Sequence, residues 1–167
     1  MADTGSVTFT ASVLPEEYRK TFANETFTYT PADATEGWYV TITNVTTSNN
    51  DLMGAGAIES SAGTATAAAK ATAATGDKVK FLFIKNTGTT NGSSSTTDSV
   101  YICFDGGTAA HSLVDAVEVP AGMSWFARLP NTTRENVHAI AGQANGAGTG
   151  GGNVQCIVAA ILDDVSE

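Results

Sequence analysis

Residues 78–86 read KVKFLFIKN. Alternation would place one apolar side chain in two on a buried face, but the unbroken FLFI run puts them on both. The stretch therefore predicts a strand covered on both sides at its middle, with lysines keeping its ends in water. Toward the C-terminus comes the polar loop Thr87 to Asp98, with Asn91-Gly92 as a turn signal. Val100 to Phe104, the Asp105-Gly106-Gly107 turn and a short strand Ala116 to Val119 follow, and Pro120-Ala121-Gly122 closes that segment. Met123, Trp125, Ala127 and Leu129 then alternate with Ser124, Phe126 and Arg128. Val137 to Ala141, a glycine loop from Gly142 to Gly152 and Val154 to Leu162 complete this half.

Toward the N-terminus the period is again two. Trp38, Val40 and Ile42 alternate with Tyr39, Thr41 and Thr43, Phe27 and Tyr29 mark a short strand, and Val7 to Val13 alternates with Thr8, Thr10 and Ser12. Leu14 to Phe22, with Pro15, Glu16 and Glu17 at its start, predicts a single helical turn. These segments amount to about nine strands spaced by roughly 8–15 residues, with no βαβ alternation. The fold expected is all-β: one antiparallel β-sandwich spanning 1–167, with 1–14 as a candidate N-terminal arm or strand.

Composition agrees. Valine, isoleucine and threonine give 45 β-branched positions against six leucines, which all but excludes a helical bundle. Between Ser48 and Gly76 the large apolar residues give out after Ile58, and the tract AGTATAAAKATAATG takes over. Alanine favours helix while threonine and glycine oppose it, so 48–76 is expected to be a surface excursion or extended arm.

Eight basic and 17 acidic residues leave a net charge of −9, which repels phosphate backbones and anionic lipid unless the bases gather on one face. Lys70, Lys78, Lys80 and Lys85 share one stretch, but no aromatic platform is interleaved with them outside an apolar strand, so no nucleic-acid partner is expected. No run approaches the roughly 18 apolar residues of a membrane span, and Met1 to Ser12 has no signal pattern, so no membrane partner and synthesis in a cytosol are expected. Cys103 and Cys156 lie in apolar runs and read as buried thiols. The glycosylation-type triplets at Asn24, Asn44, Asn91 and Asn131 are those of a chain rich in Asn and Thr.

Catalysis needs titratable groups that converge, and no such set is legible. His111 stands six residues after Asp105 and four before Asp115, a weak pattern for a metal. His138, beside Val137 near a strand end, reads as a structural histidine. Asp98 and Asp105 flank a strand without a calcium-loop pattern, and Gly146 to Gly152 lacks the Lys-Ser/Thr of a phosphate loop. The expectation is no catalytic residue, no metal and no cofactor. A sugar platform would have to come from Trp38, Tyr39, Tyr101 or Trp125, most of which alternation assigns to the core.

The succession FLFIKNTGTT, SVYICFDGGTAA, AVEVPAGMSWFARL and NVHAIAG, with a glycine loop before VQCIVAAILDD, resembles the capsid cement (decoration) proteins and other small virion structural proteins of tailed bacteriophages. The resemblance covers Lys78 to Asp164. It implies a jelly-roll-like subunit, commonly a homotrimer, seated on the capsid exterior, where it binds the major capsid protein between capsomers and stabilises the head. Met1 to Val13 and Ser48 to Gly76 would then be contact arms. Another virion β domain, at a head fibre base or on the tail, and a carbohydrate-binding module are the alternatives.

Overall fold

The computed structural model describes residues 5–9, 25–29, 36–54, 57–59, 71–72, 75–109, 116–144 and 151–163. Twelve strands lie among them: β1 (Gly5–Phe9), β2 (Glu25–Tyr29), β3 (Glu36–Val45), β4 (Asn50–Asp51), β5 (Ala57–Glu59), β6 (Ala71–Thr72), β7 (Lys78–Asn86), β8 (Ser99–Cys103), β9 (Val117–Val119), β10 (Ser124–Thr133), β11 (His138–Gly142) and β12 (Val154–Asp163). One 3₁₀ turn, Arg134–Asn136, separates β10 from β11. The helical turn expected at Leu14 to Phe22 and the second half of the strand expected at Val7 to Val13 lie outside the described residues.

All pairing is antiparallel, in three sheets. Six strands run in the order β10-β7-β12-β3-β5-β6, four in the order β4-β11-β8-β9, and β1 and β2 form a separate hairpin. Eight of these strands pair in nested fashion: β3 with β12, β4 with β11, β7 with β10 and β8 with β9. The first joins the last and the innermost pair are neighbours in the chain. The core lies between the two large sheets. Val79, Leu82, Ile84, Val154, Val158 and Leu162 meet Val100, Ile102, Val119, Val137 and Ala139 across it, and all are buried. Small residues at Ala139, Ala141 and Ala160 let the sheets approach where the bulk of Tyr39 and Leu82 fills the remaining space.

One part of the structure departs from the sequence reading. Ser48 to Gly76 is more than a surface excursion. It supplies β4 to the small sheet, and Leu52 and Met53 are 1% and 0% exposed within the core. The Leu52 N–H donates to the Val137 carbonyl at 2.9 Å, and the Arg134 guanidinium donates to the Met53 carbonyl at 2.5 Å, which pins this segment beneath the 3₁₀ turn. The residues after Ile58 dominate the composition of the tract, so averaging over it hides two core residues. In β3 the structure decides which of the two alternating faces is buried. Its buried side is Tyr39 and Val45, whereas Val40 and Ile42 point away from the core and are 60% and 65% exposed.

Candidate functional site

The outward side of the six-stranded sheet is laid out by register. Three ladders cross its four long strands: Trp38–Ile161–Phe81–Arg128, Val40–Ala159–Phe83–Phe126 and Ile42–Ile157–Lys85–Ser124. Nine of these twelve positions are apolar, so this face is as hydrophobic as a core face. The hairpin lies over one end of it. Ser6 and Val7 of β1 share with Trp38, Phe81, Phe83 and Ala159 the lining of a cavity of about 230 Å³. Trp38 and Phe81 meet edge to face, with ring centroids 6.3 Å apart. Phe81 and Ile161 are buried and Phe83 half-buried, so the FLFI strand has cover on both sides, as KVKFLFIKN predicts. Val40 and Ile42 continue the same surface beyond the hairpin.

Charge is distributed unevenly around that face. Of the eight basic residues, four (Lys78, Lys80, Lys85 and Arg128) are on β7 and β10. Lys80 Nζ is 2.9 Å from Asp163 Oδ2 on β12. Lys85 and Arg128 stand exposed within the ladders themselves. Three lysines of the cluster noticed in the sequence, Lys78, Lys80 and Lys85, thus border an apolar surface, and Lys70 lies outside the described residues.

Among the described residues, those singled out for chemistry do not converge. Asp105 is an exposed turn residue whose Oδ1 accepts the Gly107 N–H at 2.8 Å. His111 and Asp115 lie outside the described residues. Among the described residues, no three of His, Cys, Asp and Glu gather within metal-binding reach. His138 works as a clamp: its Nδ1 meets the Gly107 carbonyl at 2.5 Å and its Nε2 lies 3.2 Å from Asp51 Oδ1, tying β4 and the turn after β8 to β11. Asp98 accepts the Gly152 N–H at 2.8 Å and the Thr96 hydroxyl at 3.0 Å, fastening the end of the glycine loop. That loop is otherwise outside the described residues over 145–150.

No family model, curated protein or solved structure matches this chain.

Both thiols are free and buried, one in each large sheet. Burial pushes the Cys156 thiol up to about 12. Burial and the neighbouring Asp105 carboxylate raise Cys103 as well, and its Sγ donates to the Gly107 carbonyl at 3.3 Å. Neither is a ready nucleophile, because the thiolate is the reactive form. Three of the four aromatic candidates are occupied, while Trp38 is half-buried and lines the cavity under the hairpin. Tyr39 and Tyr101 are buried, with the Tyr39 hydroxyl donating to Gly54 and that of Tyr101 to Gln143. Trp125 stacks on Phe104 at 5.3 Å against the core. The sequence missed the outward apolar face. Its signal was already present in the Trp38, Val40, Ile42 alternation, but period two does not say which side faces the core.

Proposed function

We propose that this chain is a non-enzymatic virion structural protein, a capsid cement protein that binds the major capsid protein between capsomers and stabilises the head. The observation that carries the reading is the nested pairing of β3 with β12, β4 with β11, β7 with β10 and β8 with β9. We read eight strands so paired and folded into two sheets as a jelly roll, a plan that recurs in viral capsid subunits, lectins and cupins. The outer surface separates these classes. A cupin would need histidines and carboxylates converging inside the sandwich, whereas the core found among the described residues is Val, Ile, Leu and Ala with Met53, Tyr39 and Cys156. A sugar platform would need aromatic faces open to solvent, whereas Tyr39 and Tyr101 are buried, Trp125 is stacked, and Trp38 is half-buried against Phe81 beneath the hairpin. An apolar, basic-edged sheet face on an acidic body suits adhesion, where many modest contacts are multiplied by valency. The resemblance of Lys78 to Asp164 to tailed-phage decoration proteins points the same way, and it implies a homotrimer on the capsid exterior.

The test is co-sedimentation of the purified chain with intact heads assembled without it, alongside light-scattering mass. Saturable binding by a trimer, with heads better able to resist heat or chelation, is the expected result. A monomer that ignores heads but is retained by a glycan array overturns the reading.

A further inference from the structure

We propose that the β1–β2 hairpin is an exchangeable arm, and that in the oligomer it seats on the outward sheet face of a second copy of this chain. The inference rests on the oligomeric part of the function proposed above. Four observations carry it. The hairpin belongs to neither large sheet, and an isolated two-stranded ribbon is marginal in water, so its stability depends on whichever apolar surface it covers. The surface it accepts is already defined by Val7 against Trp38, Phe81, Phe83 and Ala159, and every copy carries the same seat. Six residues, 30–35, join Tyr29 to Glu36 and reach about 20 Å at full extension, ample to cross to a body packed at the usual sheet spacing of about 10 Å. Finally, the hairpin carries Glu25 on β2, while the seat is bordered by Lys78, Lys85 and Arg128, with Lys80 paired to Asp163. Glu25 and this basic border are opposite in sign, and complementarity of this kind helps to set partner and orientation.

Exchange also accounts for the open end of the face. An arm that crosses draws the second body alongside the seat, and the row Val40–Ile42 is then covered where the bodies meet. A hairpin kept on its own chain leaves that row in water.

Two singly substituted chains, Val7→Cys and Ala159→Cys, are mixed under mild denaturant, returned to buffer and treated with a short bis-maleimide. The buried Cys103 and Cys156 provide a background, checked on the unsubstituted chain. A linked dimer containing one chain of each kind is expected. No dimer from the mixture, together with an internally linked monomer from the double variant, overturns the proposal. As a second measurement, Ile42→Asp should keep the circular dichroism and denaturation midpoint of the parent but weaken its self-association at least about tenfold by light scattering. A parent chain that stays at the 17.1 kDa monomer mass at every concentration also overturns it. Head binding is read separately by co-sedimentation, so loss of capsid affinity with intact cross-linking removes the proposed function and leaves the exchange standing.

Discussion

The Asn86 side chain, at the end of β7, donates to the Val119 carbonyl on β9 at 3.0 Å and so bonds one sheet of the sandwich to the other. The same amide donates to the Asp98 carbonyl at 3.0 Å, and its oxygen accepts the Gly88 N–H at 2.9 Å. Asn86 is fully buried, and all three partners are backbone groups beside the Thr87 to Asp98 loop. Replacing it with leucine strands two carbonyls and an N–H away from water. Asn86→Leu is expected to cost about 2–4 kcal/mol by urea denaturation. A loss under about 0.5 kcal/mol would mean the loop is held by other contacts.

Leu52 tests the segment that the sequence assigns to the surface. With 1% exposure among core residues of both sheets, Leu52→Ala should cost about 2–4 kcal/mol, the range for opening a cavity in a packed interior. Removing all of 48–76 takes away β4 and two core side chains together, so that deletion is expected to abolish cooperative unfolding. A true surface loop would tolerate both changes.

The strands beyond Lys78 were legible because each carries a run of apolar or β-branched residues between recognisable turns. Asn91-Gly92, Asp105-Gly106-Gly107 and Pro120-Ala121-Gly122 all sit where the chain reverses, with Gly92, Gly106 and Gly122 at φ of 84°, 78° and 76°. β4, β5 and β6, of two or three residues each, were not legible, since no periodicity exists over so short a span. Nor was the direction of β3. Thr41 and Thr43 are wide enough to line a core-facing strand, and a reading from side-chain polarity sends Val40 and Ile42 inward. Only the register with β12, which pairs Val40 with Ala159 and Ile42 with Ile157, reveals that they belong to a second apolar surface.

Two glycines make a controlled pair. At Gly106, with φ 78°, an added Cβ would lie 2.7 Å from Asn136 Oδ1, so Gly106→Ala combines left-handed strain with a clash. Gly54 has nothing within 4 Å of the equivalent position. Gly106→Ala should lower stability by about 1–3 kcal/mol, while Gly54→Ala should stay within about 0.5 kcal/mol of the parent. Equal losses at both positions would contradict the turn geometry.

Cys156 gives the alkaline limb of stability its sign. The thiol ordinarily titrates near 9.0, and burial raises it to about 12 in the folded chain. Between those values the unfolded chain has released a proton that the folded chain still holds, so unfolding gains free energy as pH rises. The stabilising contribution is therefore whole below about pH 9 and is lost on the way to about pH 12. From pH 8 to pH 10 this group should remove about 1.4 kcal/mol. Tyr39, also raised by burial, acts in the same direction and is shared with any variant at Cys156, so the comparison must be made by difference. Cys156→Ala lowers stability at every pH by opening a small cavity, but its stability should fall less steeply than the parent's across that interval. Urea midpoints at pH 8, 9 and 10 for both chains measure the two slopes, and parallel slopes would show that the thiol ionises in the folded protein as it does in water.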